Sequence, residues 1–397
     1  MKLRAPLFIA DRHIFLRFNK LTWTFKVDIW YLSGTNRTLI AAMKKIIPLR
    51  VFDEHFMLEK LTNLHDPLVK LDKYIDWNIF SPLLDAVFDK PKLSNAGRPH
   101  FERNLMFKIL ILQSIYNLSD DQIEFQIIDR RSFKRFLRIK STDKVPDSKT
   151  IWKFRETLIE EEAIEALFSR FNQALDDQGI FANTGKIVDA SFVEVPRQRN
   201  TREENRLIKE GKTPEAWKSQ LHKLRQKDVD ARWTKKNYMT FYGYKNHIKI
   251  DSGTKLINTY AVSNASVHDS QETAILINSD DAGQILYGDS AYVGQEKSIK
   301  WCEMSDMISE KGKRNHPLTE KQNKSNRIKS KTRARVEHVF GFMTNSMDAM
   351  VVQTIGIVRA AAKIGLTNLT YNLMRCVQLK KIVSAVVLRN PSMMLMG

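Results

Sequence analysis

Apolar residues follow two different rhythms along this chain. Between about 49 and 180 they recur every three or four positions, the spacing of one buried helix face. Leu105, Ile109, Leu112 and Tyr116 mark such a face, and Asn117-Leu118 end it. Ser119-Asp120-Asp121-Gln122 then has the form of a capping box: the Ser119 hydroxyl accepts from the Gln122 amide and Gln122 reaches back. Pro146-Asp147-Ser148 predicts another helix start, with Asp147 or Ser148 as N-cap. From about 184 the rhythm becomes that of strands. Lys186 to Val193 is apolar and β-branched, and Tyr242 to Ile250 alternates. Asp251-Ser252-Gly253-Thr254 predicts a turn into a return strand from Leu256 to Val262.

Gln284 to Asp289 reads as the next strand, followed by a helix through Glu296–Cys302, a short strand near Met307–Ser309, and helix from about 326 onward. Arg197 to about Lys236 interrupts this series as a charged segment read as helical. A strand, a hairpin, a strand, a helix, a strand and a helix make a mixed α/β sheet with helices on its faces. The chain therefore divides into a helical region, 49–180, and an α/β region, 181–385, with an insertion at about 197–236. Residues 1–48 stand apart: 1–42 mix aromatics and basic residues with no sustained period. They read equally as an appended extension or as an ordinary small subdomain.

Charge changes the picture. Among 397 residues, Lys+Arg number 64 against 45 Asp+Glu, a net charge of +19 with pI near 9.7. A surplus of that size points to a polyanion, because neutralising phosphates releases condensed counterions. No run of 18 or more apolar residues is present, which argues against a membrane span. Cys302 and Cys376 are too few for a disulfide framework or a thiolate zinc site, and suit a reducing cytoplasm. The short helices carry Arg130, Arg131, Lys134, Arg135, Lys149, Lys153 and Arg155. They read either as a helix-turn-helix-like DNA-binding unit or as a bundle with a solvated basic face. Ten Lys and Arg lie between Lys311 and Arg335, with Glu320 as the acid among them. That run is either a solvated face or a DNA groove, and the groove is favoured.

Three acids carry the candidate chemistry. Asp189 follows Ile187-Val188 and Asp289 follows Leu286-Tyr287-Gly288, each delivered by a strand. Glu337 lies in Arg333-Ala334-Arg335-Val336-Glu337-His338-Val339-Phe340-Gly341, where helical spacing puts Arg333, Glu337 and Gly341 on one face. Phosphodiester cleavage needs charge neutralised on the phosphate and an oxygen made nucleophilic. Two Mg²⁺ ions about 3.5–4 Å apart do both, and hard Mg²⁺ takes carboxylate oxygens. Read singly, each Asp is equally a turn former, and Glu337 an ion-pair partner of Arg333 at i,i+4.

The chain resembles bacterial DDE transposases of the insertion sequence five family over about residues 50–380. The resemblance rests on Gly97-Arg98-Pro99, Tyr116-Asn117-Leu118-Ser119-Asp120, Val188-Asp189-Ala190-Ser191, Phe241-Tyr242-Gly243-Tyr244-Lys245-Asn246-His247, Val267-His268-Asp269, Gly288-Asp289-Ser290-Ala291-Tyr292 and the Arg333–Gly341 segment, in the family's order. It implies an RNase H-like core with Asp189, Asp289 and Glu337 as the catalytic, metal-binding triad. The spacings 289 − 189 = 100 and 337 − 289 = 48 fit a group without a large insertion before the glutamate. Ser330 stands where a related signature has Tyr, and Thr344 where it has Lys, with Lys329 and Lys331 beside Ser330.

The implied activity is binding of terminal inverted repeats, Mg²⁺-dependent cleavage (with Mn²⁺ as a substitute) and strand transfer into target DNA, by a homodimer or higher assembly on double-stranded DNA. Arg333 is expected to orient Glu337 or meet phosphate, and Arg327, Lys329 and Lys331 to contact DNA. His268 and Asp269 read either as supports of the site or substrate, or as a turn with an Asp cap. The rival readings are a nuclease without strand transfer, and a repurposed copy that binds DNA without cutting it.

Overall fold

The computed structural model describes residues 7–9, 12–14, 53–89, 100–236, 238–314 and 316–389. Gly97-Arg98-Pro99 and most of residues 1–48 lie outside the described residues. Residues 1–60 form one compact unit and 61–397 another. In the first, β1 (Leu7–Ile9) pairs antiparallel with β2 (Arg12–Ile14), and helix α1 (Asp53–Asn63) begins.

The second unit opens with helices α2 (Pro67–Tyr74), α3 (Ser81–Phe88), α4 (Arg103–Tyr116), α5 (Asp120–Asp129), α6 (Arg131–Leu137), α7 (Ser148–Glu160) and α8 (Ala163–Asp177). The local signals act as expected. Asn117 ends α4 in the left-handed region (φ 46°), and both arms of the Ser119/Gln122 capping box form. Asp147 caps α7, accepting from the Thr150 amide at 2.7 Å. In α4 every residue from Met106 to Ser114 is buried, so it is the axis of the bundle rather than a one-faced surface helix.

The sheet comprises β3 (Lys186–Glu194), β4 (Arg232–Lys236), β5 (Met239–Asp251), β6 (Ile257–Asn264), β7 (Ile285–Gly288) and β8 (Ser305–Ile308). Its spatial order is β6-β5-β3-β7-β8, with β4 joining the other end of β5. β3, β5 and β6 are antiparallel neighbours, while β7 and β8 run parallel to β3. This is the RNase H-like arrangement. The charged insertion departs from its all-helical reading: α9 (Arg202–Lys209), α10 (Glu215–Lys218) and α11 (Leu221–Gln226) are followed by β4. β4 is an edge strand of charged residues, so no apolar alternation announces it.

One sheet face, through Ile187, Ile248 and Ile250, joins the core of the helical region. Val336, Val339 and Met343 of α14 (Glu320–Asn345) and Leu369 and Leu373 of α15 (Ile357–Arg389) share it with Phe107 and Phe168. The other face, through Val188, Leu286 and Ile308, is covered by α12 (Thr273–Leu276) and α13 (Glu296–Trp301). Gly365 lets α15 approach closely, since a Cβ there would stand 2.5 Å from the Tyr260 hydroxyl. Among the described residues, no helix is long and apolar enough to cross a membrane.

Candidate active site

Side chains alternate along β3, so Asp189 shares the face of Ile187, over which α14 packs. The parallel register pairs Lys186 with Leu286 and Ile187 with Tyr287, an offset of 286 − 186 = 100. The interval between the two aspartates is the same, 289 − 189 = 100. Asp289 directly follows β7, so the register brings it toward the level of Asp189 on the neighbouring strand, near enough for its charge to act on the Asp189 carboxyl. Asp289 caps the short turn Ser290–Tyr292, its Oδ1 accepting from the Ala291 amide at 2.8 Å. Gly288 allows tight packing at this strand end: a Cβ would lie 3.3 Å from the Tyr292 ring and 3.4 Å from Val188.

Asp189 accepts at Oδ1 from the Ala190 amide (2.8 Å) and at Oδ2 from Arg333 Nη1 (3.1 Å). Arg333 Nη2 stands 3.8 Å from Glu337 Oε1, so one guanidinium joins the strand-borne and helix-borne acids. Burial pushes the Asp189 carboxyl up to about 6; the Ala190 amide and Arg333 pull it down, and the charge of Asp289 pushes it further up. The nearby charge of Asp289 adds to the cost of charging buried Asp189, and a cation would offset it. Glu337 is the open member, its side chain 66% exposed, and a Cβ at Gly341 would meet nothing within 4 Å. Among the described residues, no three His, Cys, Asp or Glu side chains already stand close enough to hold a metal. Glu337 reaches the pair through Arg333. The donor set, all carboxylate oxygen with a repelling pair at its centre, fits a hard divalent cation.

The remaining predicted residues separate. Arg327 and Lys331 are exposed on α14. Lys329 is engaged within the fold: its side chain is 11% exposed and donates to the Ile308 carbonyl at 2.8 Å, with Glu310 at 3.9 Å. His268, rather than Asp269, caps the turn at 269–272, its Nδ1 lying 2.8 Å from the Ser270 hydroxyl. Asp269 is buried and paired with Lys245 at 2.8 Å. In the helical region, Arg155 is held by both oxygens of Asp120 and Arg135 by Asp66, whereas Arg131, Lys149 and Lys153 remain exposed.

Sequence reasoning missed Tyr292 and Lys245. The Tyr292 hydroxyl is buried without a hydrogen-bond partner, and its pKa is raised by burial and then by Asp189, Asp269 and Asp289. Both residues lie inside segments quoted above, but an apolar flank and a strand lysine carry no chemical signal of their own.

A family model described as a transposase domain (DUF772) matches residues 56–157, and one described as a transposase DDE domain matches 181–373. Among solved structures, a cryo-EM piggyBac transposase synaptic complex with hairpin DNA aligns at 13% identity and a TM-score of 0.40. The alignment covers 80% of this chain and 76% of that one.

Proposed function

The chain belongs to the DDE transposases, and we propose that it binds the terminal inverted repeats of its own element, cleaves a phosphodiester there to free a 3′-hydroxyl, and directs that hydroxyl into target DNA. Within that group we place it in the insertion sequence five family. The observation that carries the reading is the parallel pairing of β3 with β7, which brings Asp289 at the end of β7 toward Asp189 on β3, with Arg333 joining Asp189 to Glu337.

In this reading Asp189, Asp289 and Glu337 hold the divalent ions. Mg²⁺, or Mn²⁺ in its place, supplies charge neutralisation at the phosphate and activation of the attacking oxygen. Burial raises the Asp189 carboxyl, so a divalent cation beside it would offset the cost of its charge. Arg333 draws Glu337 toward the aspartates and presents a planar donor fork, the geometry that suits phosphate. Arg327 and Lys331 bear on the DNA backbone, and Lys329 braces α14 against β8. The helical region, 49–180, is the DNA-binding domain, with Arg131, Lys149 and Lys153 exposed to meet phosphate. Synapsis of two ends calls for a dimer or larger assembly, acting on the nucleoid.

The test is incubation of the full chain with duplexes covering the DNA on either side of its own gene, in Mg²⁺ and in EDTA, with strand breaks mapped. Nicks leaving 3′-hydroxyls are expected in Mg²⁺ alone, and strand transfer products separate a transposase from a nuclease. Asp189→Asn, Asp289→Asn and Glu337→Gln should each retain DNA binding while cleavage falls on the order of 10³-fold or more. Cleavage that survives all three would overturn the assignment of the acids. Binding with no Mg²⁺-dependent cleavage by the unaltered chain would establish a repurposed DNA-binding protein instead.

A further inference from the structure

The last turn of α2 lies against α15. Lys380 of α15 donates to the Tyr74 carbonyl at 3.2 Å, so one ammonium already serves the carboxyl end of α2. Three more lysines gather at the same place. Lys73 stands 5.5 Å from the centroid of the Tyr74 ring. Lys70 lies one turn back on α2, and Lys381 is within hydrogen-bonding reach of it. The Lys381 ammonium lowers the Lys70 pKa, through that bond first and then through like charge. Lys70, Lys73 and Lys381 have no carboxylate within ion-pair distance among the described residues. A helix end accounts for one cation, but four drawn together repel, and a polyanion would relieve them.

Beside these lysines α2, α8 and α15 border a cavity of about 230 Å³, with Lys73 and Lys380 in its lining. Its apolar wall is made by Ile75, Ile79, Phe171 and Leu175, with Ala174 between the last two. Ile75, Phe171, Ala174 and Leu175 are buried, and Phe171 stacks on Phe80 with centroids 6.1 Å apart, so the wall is fixed by the core behind it. Asp76 is the acid of the lining, and its Oδ1 already accepts from the Asn78 amide at 3.0 Å. With Gln178 it offers an acceptor and an amide to the edge of a heterocycle. An apolar wall, a few polar groups and a cluster of cations to one side make a site for a flat ring joined to phosphates.

We propose that this cavity binds a nucleoside polyphosphate, its base against Ile75, Ile79 and Phe171 and its phosphates on Lys70, Lys73 and Lys381. One phosphate carries about two charges at most, so four ammonium groups call for more than one. The site uses none of Asp189, Asp289, Glu337 or Arg333 and goes beyond the strand-cleavage reading. Because it joins α2 and α8 of the helical region to α15, an occupant would stabilise their docking by mass action.

The test is calorimetric titration of ATP into the full chain in EDTA, which denies divalent ions to the acid cluster. One saturable site with a Kd on the order of 10–100 μM is expected, and inorganic tripolyphosphate, which lacks the base, should bind about tenfold more weakly. Lys70→Gln combined with Lys381→Gln should weaken both ligands about tenfold or more, since both lose charge-assisted bonds. Ala174→Leu enlarges the wall without changing charge; it should weaken ATP about tenfold and leave tripolyphosphate unchanged. Gln178→Trp, at an exposed position of the lining, makes the same test if Ala174→Leu fails to fold. ATP should also stay bound when a duplex of the flanking DNA is saturating. Absence of saturable ATP binding, equal affinity for ATP and tripolyphosphate, or displacement of ATP by the duplex would each overturn the site. All three leave the strand-cleavage reading standing, because that reading is decided by the mapped nicks.

Discussion

Asp228→Ala should be among the most damaging single substitutions outside the acid cluster. Asp228 is 2% exposed at the end of the charged insertion. Its Oδ1 accepts from the amides of Asp230 (2.9 Å) and Ala231 (3.0 Å), and its Oδ2 from the Tyr244 hydroxyl (2.7 Å) and the Gly356 amide (3.1 Å). One carboxylate thus ties the insertion to the middle of β5 and to the start of α15, whose next amide, Ile357, is held by Asp230 at 2.9 Å. A buried donor left without a partner costs about 1–3 kcal/mol, and a carboxylate acceptor strengthens each bond. With some of the four donors finding water after truncation, the loss should be about 4 kcal/mol, a large share of the 5–15 kcal/mol typical of a folded domain. Urea unfolding of the full chain, followed by tryptophan fluorescence, measures it. Tyr244→Phe completes a double-mutant cycle, in which a coupling of about 1–3 kcal/mol is expected. A loss under about 1 kcal/mol, or no coupling to Tyr244, would show that Asp228 is not the tie described. Because β4 begins directly after Ala231, the same variant should also loosen the β4–β5 hairpin and lower the yield of mapped nicks.

Other substitutions separate surface cations from internal ones. Arg327→Gln and Lys331→Gln should each flatten the dependence of log affinity on log salt by about one counterion. Lys329→Gln should leave that slope unchanged and cost about 1–3 kcal/mol of stability, because the Ile308 carbonyl loses its donor; a changed slope would place Lys329 on DNA. Arg333→Lys should slow single-turnover cleavage roughly 10–100-fold, since one ammonium cannot span Asp189 and Glu337 as the fork does; undiminished cleavage would remove the bridge from the mechanism. His247 is fully buried beside Ser263, and burial lowers its pKa to about 4. The unfolded chain takes up this proton near 6.5 and the folded chain only near 4, so stability present above pH 6.5 is lost as pH falls through that window. The loss is at most about 3 kcal/mol, and urea midpoints that do not differ in pH slope between the unaltered chain and His247→Gln would refute it.

Local pattern was enough for several elements and their ends. The β-branched run at 186–193, the Ser119/Gln122 box and the Asp147 cap depend on neighbours within a turn, and neighbours in sequence are visible. The candidate acids were likewise legible, because strands and a helix delivered them in recognisable segments. What the linear order could not contain was pairing between distant segments. The match between a 100-residue register and a 100-residue interval became meaningful only when β3 and β7 lay side by side. The same holds for charge. Arg155, Arg135, Lys245 and Lys329 look like surface cations in a basic chain, yet each is held by an acid or carbonyl of the fold. β4 was hidden for the opposite reason: an edge strand of Arg, Thr and Lys buries little, so only its partner β5 reveals it. Side-chain chemistry is written in the sequence, but the partner that decides how a charge acts is chosen by tertiary contact.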